Sequence, residues 1–365
     1  MRIVHVLGTR PNFVKMAPLI AAISRRSPET GQTIVHTGQH YDRMMSEIFF
    51  DQLGVPAPDH MLEVGSGTHA QQTARVMERL EPLLVENRPD LVVVPGDVNS
   101  TVAAALTAVK LEIPVAHLEA GLRSYDRSMP EEINRIVTDQ IADILWVHSE
   151  EALRNLEMEG IPPDRASFVG NTMIDSLVAL QDRFRPLETC RQFGLEPGSY
   201  LLVTLHRPAL VDGPLLFEAI TALNEVSTLM PVLFPVHPRT RARLAGNAEL
   251  AENLHLVDPA VYLEFLSLES DAGAVLTDSG GIQEETTYLG IPCFTLRDNT
   301  ERPVTIELGT NVLLGLDPAR IAEIPEIIAG QTKSVGEGQV KPPEPPPLWD
   351  GHAADRIAEQ LAESV

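Results

Sequence analysis

The amino-acid sequence predicts an α/β protein with two open parallel β-sheets, one in each half of the chain. Two patterns predict this class: short apolar runs that end in glycine or a polar residue, and helical patterns that alternate with these runs. Repeated strand–helix units build a parallel sheet with helices on both faces. With 365 residues, the chain has room for two domains with separate cores.

Four strands are predicted in each half of the chain. They are IVHVLG (3–8), TIVHTG (33–38), LVVVPG (91–96), PVAHLEAG (114–121), YLLVTLH (200–206), MPVLFPVH (230–237), AGAVLTDSGG (272–281) and IPCFTL (291–296). The stretch DRFRPLETCRQFGLEPGSY is predicted to cross from one domain to the other. The proline-rich segment KPPEPPP (341–347) excludes a helix or sheet interior, and the helical pattern AADRIAEQLAES after it predicts a terminal helix that docks on the protein.

The chain is strongly acidic, with a formal net charge of −23 and lysine at only four positions. Nucleic acid is therefore an unfavourable partner, because a phosphate backbone binds to a basic face. No apolar stretch is long enough to span a bilayer and no basic leader precedes the first strand, so we expect a cytoplasmic protein without a membrane partner. The two cysteines and the scattered histidines lack metal-ligand spacing, so we expect reduced thiols and no metal.

Ligands of open α/β sheets bind beyond the carboxyl ends of the strands, and two facing domains would place their site in the cleft between them. The first predicted strand ends at Gly8, which allows a tight turn, and Arg10 and Lys15 flank the start of the next helix. The helix dipole disfavours cations at this end, and a bound anion would explain them.

Carboxylates follow two other predicted strands of the first half. Asp97 comes directly after LVVVPG, where it suits either a turn or a site, and Glu119 ends a very apolar run with Arg123 close behind it. Glu131 lies in a first helical turn, where acidic residues usually complement the helix dipole. On the residues alone, Glu131 and Arg135 are interpreted as an ordinary i,i+4 pair.

Two histidines of the second half, His206 and His237, lie at strand ends, each with an arginine within two residues. In so acidic a chain, cations gathered at strand ends favour the binding of a small anion. Glu301 and Arg302 are interpreted from the residues alone as a structural ion pair.

The segment DSGGIQEET (278–286) combines a hydroxyl and two glycines with two carboxylates. Ser279, Gly280 and Gly281 lie where a strand turns into a helix, and glycines let backbone N–H groups approach a phosphate. A carboxylate farther along would repel phosphate, but Glu285 can accept two hydrogen bonds from a ribose diol. The segment therefore predicts a nucleotide site.

Seven motifs occur together and in order: GTRP, PGD, HLEAGLR, MPEEINR, GNTMID, DSGGIQEE and LRDNTERP. From Gly8 to about Val312, the chain thereby resembles the non-hydrolysing UDP-N-acetylglucosamine 2-epimerases. The resemblance implies a glycosyltransferase-B type fold, in which two Rossmann-like domains face a cleft. Residues 1–170 would form the domain with the catalytic carboxylates, residues 171–345 the UDP-binding domain, and residues 346–365 a helix that returns to the first domain.

The resemblance also implies the reaction. The family interconverts UDP-N-acetylglucosamine and UDP-N-acetylmannosamine by eliminating UDP across C1–C2 to a glycal and adding UDP back after protonation of the opposite face. This chemistry needs no nicotinamide or other cofactor, and the chain has neither a GxGxxG motif nor a metal cluster. A cytoplasmic homodimer in polysaccharide biosynthesis is expected on the same ground.

By resemblance, Asp97, Glu119 and Glu131 are the catalytic carboxylates, and His206 contacts the diphosphate or assists acid–base transfer. Which carboxylate takes the C2 proton stays open. The implied substrate-binding residues are Arg10, Ser279 and Gly281 at the phosphates and Glu285 at the ribose, with Lys15, Arg123, Arg135, His237, Gly280 and Arg302 as further candidates.

Two departures from the family pattern and several alternatives remain. The chain reads HRPALVDG where many members have HR followed by an arginine and Glu-Asn, so the sugar end of the site differs. Gln39 and His40 match a segment that forms an activating second site in some members, but their surroundings differ.

The alternative functions are a 2-epimerase of a UDP-diacetamido-uronic acid, a hydrolysing epimerase, a glycosyltransferase of the same architecture and a non-catalytic nucleotide-sugar-binding regulator.

Overall fold

The computed structural model describes residues 1–38, 50, 52–246, 248–336 and 344–363. The chain divides into two compact units. Unit 1 comprises Met1–Ala179 and Pro347–Val365, and unit 2 comprises Leu180–Pro346. None of the helices in these described ranges is long and apolar enough to cross a membrane.

Unit 1 contains a seven-stranded parallel sheet with the strand order β3-β2-β1-β4-β5-β6-β7. Its strands are β1 (Arg2–Leu7), β2 (Gly31–His36), β3 (His60–Met61), β4 (Leu91–Pro95), β5 (Val115–Leu118), β6 (Ile144–Val147) and β7 (Ala166–Phe168). Its helices are α1 (Arg10–Arg26), α2 (His69–Asn87), α3 (Asn99–Lys110), α4 (Pro130–Ile141), α5 (Glu150–Met158), the 3₁₀ helix Pro163–Arg165, α6 (Thr172–Phe184), which ends in unit 2, and the C-terminal helix Ala353–Glu363.

Unit 2 contains a six-stranded parallel sheet with the order β10-β9-β8-β11-β12-β13. Its strands are β8 (Leu201–Thr204), β9 (Val232–Pro235), β10 (Leu254–Val257), β11 (Ala274–Thr277), β12 (Cys293–Thr295) and β13 (Asn311–Leu313). Its helices are α7 (Pro208–Val211), α8 (Leu215–Ser227), α9 (Pro238–Leu244), α10 (Tyr262–Ser270), α11 (Gly280–Leu289), α12 (Val304–Glu307), α13 (Ile324–Gly336) and the 3₁₀ helices Arg185–Leu187, Thr189–Phe193 and Pro318–Glu323. The C-terminal helix of unit 1 is α14.

The predicted α/β class with two parallel sheets is confirmed, and all eight predicted strands are present. Five further strands were not predicted: β3, β6, β7, β10 and β13. Four of these are short or lie at a sheet edge, where few positions carry the pattern of a buried strand. The run predicted as 272–281 is a strand only over Ala274–Thr277, because its glycines begin α11 instead.

The strand order of each sheet predicts where a ligand would bind. In both units the order reverses between two neighbouring strands: β1 and β4 in unit 1, and β8 and β11 in unit 2. At such a switch point the connections leave the sheet in opposite directions and open a crevice at the carboxyl ends of the strands. The predicted residues Arg10 and Asp97 follow β1 and β4, and His206 and Ser279 follow β8 and β11.

The C-terminal segment packs onto unit 1. Helix α14 lies against α1, and Trp349 just before it is only 1% exposed, with its indole N–H donating to the His148 carbonyl at 2.8 Å. The ion pairs Arg25–Asp355 and Arg26–Glu359 are exposed, and exposed pairs contribute at most about 1 kcal/mol each. Burial of apolar side chains, with the indole as the largest, therefore contributes more to the attachment of this segment than these ion pairs do.

Replacing Trp349 by alanine should lower the free energy of unfolding by about 3–5 kcal/mol, because the substitution leaves a cavity and an unpaired carbonyl. Urea unfolding followed by circular dichroism measures this loss. Met158→Ala is the control, since that side chain is 73% exposed and should change stability by less than about 0.5 kcal/mol. Equal stability of the two variants would contradict the importance of the indole.

Asp175 fastens the start of α14 through both carboxylate oxygens. They accept hydrogen bonds from the backbone N–H groups of Ala353 at 3.1 Å and Ala354 at 2.6 Å. Burial nevertheless raises the pKa of Asp175 from 3.8 to about 6, and the two hydrogen bonds only partly offset it. The folded state thus binds this proton more tightly than the unfolded state.

A raised carboxyl pKa makes a contribution to stability that is complete below the unfolded pKa and is lost as pH rises. Between about pH 4 and pH 6, Asp175 should therefore remove up to about 3 kcal/mol from the free energy of unfolding. Asp175→Asn does not titrate, so its stability should fall less over this range than that of the native chain. Urea unfolding at a series of pH values measures the difference, and parallel pH profiles would contradict the prediction.

Candidate functional site

The carboxyl edge of the unit 1 sheet brings Asp97 and Glu119 together. Strands β4 and β5 are neighbours with Pro95 opposite Leu118, so the residues that follow both strands share one edge. Gly96 adopts a left-handed φ of 65°, which turns the chain out of the sheet. A Cβ atom at Gly96 would lie 3.4 Å from the Glu119 Oε2 atom, so Glu119 packs beside the turn that carries Asp97.

Glu119 has a strained backbone and a buried cationic partner. Its φ of 71° is unusual for a residue with a side chain and costs on the order of 1–3 kcal/mol. The backbone N–H groups of Glu119 and Ala120 both donate to the Trp146 carbonyl at 3.0 Å, which holds this conformation. The Lys15 ammonium donates to the Glu119 carboxylate, and both residues are less than a tenth exposed. Lys15 therefore orients a carboxylate instead of lying open at the helix start.

Asp97 is held in a similar way by Arg135. An Nη1 hydrogen of Arg135 is donated to Asp97 Oδ2 at 2.7 Å, and the Nη2 group pairs with Glu132 at 2.6 Å. Arg135 is 1% exposed, whereas the Asp97 side chain is 24% exposed. The arginine thus fixes a carboxylate that still reaches the edge of the unit.

The two adjacent glutamates at the start of α4 have different environments. Glu132 is buried and accepts hydrogen bonds from the backbone N–H groups of Ser124 and Tyr125 at 2.9 and 3.0 Å. Burial alone would raise the pKa of Glu132, but the hydrogen bonds from Ser124 and the charge of Arg135 hold it below its usual range. Glu131 is half-buried, and no hydrogen bond or ion pair to its carboxylate is found within the described residues. The i,i+4 pair of Glu131 with Arg135 is therefore not formed.

A buried charge network lies beneath the turn at Gly96. Arg123 donates to Asp139 and to Glu159, each at 2.7 Å, and is 2% exposed. His117 lies between Asp139 Oδ1 and the Gly96 carbonyl oxygen, with both ring nitrogens at 2.7 Å. Both ring nitrogens thus face oxygen atoms of other elements, which fixes the orientation of the imidazole under the turn. His117 and Asp139 were not predicted from the sequence; they lie inside strand β5 and helix α4.

The turn after β1 is tightly built. The Asn12 side-chain oxygen accepts hydrogen bonds from the backbone N–H groups of Gly8 at 3.1 Å and Thr9 at 3.0 Å. A Cβ atom at Gly8 would approach Ser100 Oγ to 2.6 Å, so only glycine fits here. Arg10 is exposed at the first position of α1. Of the residues predicted to bind an anion in this turn, Arg10 is the one with an exposed cationic group.

In unit 2, His206 and Asp278 form a pair at the ends of β8 and β11. His206 Nδ1 lies 2.7 Å from Asp278 Oδ1, and Asp278 Oδ2 accepts from the backbone N–H groups of His206 and Arg207. Burial would raise the pKa of Asp278, but its hydrogen bonds with the His206 side chain and these N–H groups hold it below its usual range. The His206 ring is 62% exposed, so the pair leaves Nε2 for a ligand.

Ser279 and Gly280 begin α11 next to this pair. Within the described part of the chain, the Ser279 side chain makes no capping hydrogen bond, so the first-turn N–H groups of α11 are left for an acceptor. A Cβ atom at Gly280 would approach Arg302 Nη1 to 2.5 Å, so the guanidinium lies directly over the glycine. Arg302 also pairs with Glu284 at 2.8 Å and Glu301 at 2.7 Å. The predicted Glu301–Arg302 pair is confirmed.

Farther along α11, the other nucleotide candidates are more buried. Gly281 is the second residue of the helix and half-buried, whereas Glu285 is 4% exposed. Burial and the negative charge of Glu284 raise the pKa of Glu285 to about 8. The start of this helix thus carries N–H groups that the Ser279 side chain does not cap, and the buried Glu285 carboxyl follows just over one turn later.

His237 is the N-cap residue of α9. Its Nδ1 atom accepts a hydrogen bond from the backbone N–H of Arg239 at 3.2 Å, so one ring nitrogen serves the helix. Gln39 and His40 lie outside the described residues.

Comparisons with known proteins agree on one family. The profile of the family described as UDP-N-acetylglucosamine 2-epimerase matches residues 22–362. A UDP-N-acetylglucosamine 2-epimerase of Methanocaldococcus jannaschii is 41% identical over 99% of both chains. A UDP-2,3-diacetamido-2,3-dideoxy-D-glucuronate 2-epimerase of Pseudomonas aeruginosa is 42% identical over 100% of both chains. The crystal structure of a Methanocaldococcus jannaschii UDP-GlcNAc 2-epimerase in complex with UDP-GlcNAc and UDP has a TM-score of 0.87 at 39% identity, covering 100% of both chains.

Proposed function

This chain belongs to the UDP-N-acetylglucosamine 2-epimerase family, and we propose that it interconverts UDP-N-acetylglucosamine and UDP-N-acetylmannosamine through elimination and re-addition of UDP. The carboxylates Asp97 and Glu119 carry this proposal. Asp97 follows β4 at the switch point of the unit 1 sheet, Glu119 follows the neighbouring strand β5, and a buried cation orients each of them. Such a pair suits proton transfer, because ion pairing favours the charged form that accepts a proton.

The reaction needs a base and an acid on opposite faces of the sugar ring. A carboxylate takes the proton from C2, the C–H electron pair forms the C1–C2 double bond, and the C1–O bond breaks as UDP leaves with its electrons. Delivery of a proton to the other face of C2 and return of the UDP oxygen to C1 complete the inversion. Asp97, Glu119 and Glu131 are the groups we assign to these transfers.

We assign nucleotide binding to unit 2. Ser279 and Gly281 bind phosphate oxygens at the start of α11, where N–H groups and the helix dipole stabilise negative charge. His206 presents Nε2 to the diphosphate as the C1–O bond breaks. Glu285 accepts hydrogen bonds from the ribose hydroxyls.

The remaining candidates act mainly by positioning other groups. Lys15 and Arg135 orient the two catalytic carboxylates, and Arg123 anchors the network under Gly96. Arg302 lies on Gly280 and keeps the start of α11 close to a guanidinium. All four of these cations are buried, three of them in unit 1 and Arg302 in unit 2.

Product analysis by NMR tests the function. The purified protein should convert UDP-N-acetylglucosamine into a mixture with UDP-N-acetylmannosamine without adding a cofactor. Free N-acetylmannosamine together with UDP would instead assign the chain to the hydrolysing epimerases. No reaction, despite UDP binding, would contradict the proposed substrate.

A second candidate substrate is a UDP-2,3-diacetamido-uronic acid. The 42% identical Pseudomonas aeruginosa relative, whose name specifies that substrate, favours it, as does the HRPALVDG departure near the sugar end. The two sugars differ at C3 and C6, so parallel assays with both compounds distinguish the candidates. Faster turnover of the uronic acid would assign it as the substrate.

We also propose a cellular location and an oligomeric state. The family resemblance supports a cytoplasmic homodimer that supplies UDP-N-acetylmannosamine for polysaccharide biosynthesis. Light scattering coupled to size-exclusion chromatography tests the dimer, and a mass corresponding to 39.9 kDa would instead identify a monomer.

A further inference from the structure

A network of uncharged polar side chains is buried in unit 2 at the start of α11. Gln283, the fourth residue of this helix, is 0% exposed, and Asn311 of the edge strand β13 is 3% exposed. Three threonines extend the network: Thr295, Thr300 and Thr305. Buried polar groups are costly unless they are hydrogen-bonded, so the partners of these side chains decide what the network does.

The orientation of the Gln283 amide follows from its partners. The Ser279 carbonyl can only accept, so the group that lies 3.1 Å from it is the Gln283 NH₂ group. The Gln283 side-chain oxygen then accepts hydrogen bonds from the Thr300 hydroxyl at 2.6 Å and from the Asn311 amide at 3.0 Å. One side chain thus connects the N-cap residue of α11, the loop after β12 and the edge strand β13.

The same network holds the backbone of Arg302 on both sides. The Arg302 N–H donates to the Thr300 hydroxyl oxygen at 3.1 Å, and the Arg302 carbonyl accepts from the Thr305 hydroxyl at 2.7 Å. Thr305 accepts in turn from the Asn311 amide at 3.1 Å, and the Asn311 side-chain oxygen accepts from the Thr295 hydroxyl at 2.6 Å. The donor and acceptor roles of all these groups are mutually consistent, which favours a single arrangement.

The network fixes two groups that meet at the start of α11. Ser279 is held on both sides, because its N–H donates to Thr277 Oγ1 at 3.0 Å and its carbonyl accepts from Gln283. The Arg302 guanidinium lies directly over Gly280, where a Cβ atom would approach Nη1 to 2.5 Å. Gln283 therefore links the turn that leads into α11 to the segment that carries this cation.

We propose that Gln283 and Thr300 are positioning residues for the diphosphate. Through their hydrogen bond, they hold the first-turn N–H groups of α11 and the Arg302 guanidinium in the arrangement that receives phosphate. The inference rests on the proposed binding of phosphate at Ser279 and Gly281. Groups that are held in place before the ligand arrives lose less conformational freedom on binding, and neutral groups hold them without repelling the diphosphate.

Isothermal titration calorimetry with UDP tests the proposal. Thr300→Val keeps the shape of the side chain but removes the hydrogen bond to Gln283 and the acceptor of the Arg302 N–H. It should bind UDP about tenfold more weakly than the native chain, the fold-change that corresponds to one or two hydrogen bonds. Thr300→Ser keeps the hydroxyl and should bind UDP nearly as tightly as the native chain.

Thr286→Val is the matched control, because it makes the same chemical change on α11 outside the network. The Thr286 hydroxyl donates to the Ile282 carbonyl of its own helix at 2.6 Å. This variant should bind UDP with the affinity of the native chain.

A double variant tests whether Gln283 and Thr300 act together. Gln283→Met keeps the length of the side chain but removes its hydrogen bonds, and it should weaken UDP binding at least as much as Thr300→Val. The loss in the double variant should be smaller than the product of the two separate fold-losses, because the variants remove a shared hydrogen bond. Thr300 is only half-buried, so its variants test the proposal even if Gln283→Met does not fold.

Uridine distinguishes the positioning of phosphate-binding groups from a general loss of structure. Uridine lacks both phosphates, so its affinity, measured by ligand-observed NMR, should be the same for Thr300→Val and the native chain. A damaged fold would weaken uridine and UDP alike. Thermal unfolding of each variant checks the fold independently.

The proposal is overturned if Thr300→Val binds UDP as tightly as the native chain, or if UDP and uridine lose affinity by the same factor. Fold-losses that multiply fully in the double variant would contradict a shared network. If the native chain binds UDP no more tightly than uridine, the phosphate role of the α11 start is wrong and the inference falls with it. If the native chain binds neither compound, the proposed function itself is wrong.

Discussion

Replacing Glu119 by glutamine should lower kcat for epimerisation by about 10²–10⁴-fold, the range lost when a positioned acid or base is removed. An amide can neither accept nor deliver a proton at C2, and it also leaves the Lys15 ammonium buried without a charged partner. Because the role proposed for Glu119 concerns the sugar carbon and not the nucleotide, the loss should be in kcat, with KM changed much less. Asp97→Asn should behave in the same way.

Steady-state kinetics with UDP-N-acetylglucosamine measures this effect. Glu150→Gln is the matched control, since Glu150 is exposed on α5, and it should leave kcat unchanged. UDP affinity measured by calorimetry verifies that the nucleotide site of Glu119→Gln is intact. A Glu119→Gln enzyme with native kcat would exclude this carboxylate from proton transfer.

The second large effect is expected at the His206–Asp278 pair. His206→Asn should reduce kcat by about 10²–10³-fold, because in the proposed mechanism the diphosphate then loses a donor as negative charge develops on it. Asp278→Asn should also lower kcat, since an amide no longer holds the His206 ring through a charged hydrogen bond. If the aspartate acts through the histidine, the double variant should be about as slow as His206→Asn alone.

This double-mutant cycle distinguishes two roles of Asp278: orienting the His206 ring and stabilising the fold. Asp278 also accepts two backbone N–H groups, so a general loss of fold would add to the effect of His206→Asn. Additive losses in the double variant would therefore contradict a shared action, and thermal unfolding of each variant would show whether the fold is affected.

Asp97 and Glu119 could be placed at strand ends from the sequence, because both follow apolar runs typical of buried parallel strands. The partners of these carboxylates could not be predicted in this way. Lys15 lies about a hundred residues from Glu119 in sequence, and their contact depends on the register of β1, β4 and β5. The sequence predicts an ion pair of Arg135 with Glu131, one turn away, but in the structure Arg135 forms ion pairs with Asp97 and Glu132.

Asp278 and His117 were missed for different reasons. Asp278 could have been found, because it follows β11 directly and β11 pairs with β8, which leads into His206. His117 lies inside an apolar strand, where a histidine gives no periodic signal, and its two acceptors come from separate elements. Buried networks of this kind depend on packing that a linear pattern does not contain.

The most direct test of the account is the reaction in deuterated water, followed by proton NMR. Abstraction of the C2 proton by a carboxylate and return of a proton to the other face should introduce deuterium at C2 of UDP-N-acetylmannosamine and, through the reverse reaction, of UDP-N-acetylglucosamine. Glu119→Gln should slow this exchange together with epimerisation. Conversion of one epimer into the other with the C2 hydrogen fully retained would contradict proton transfer by these carboxylates.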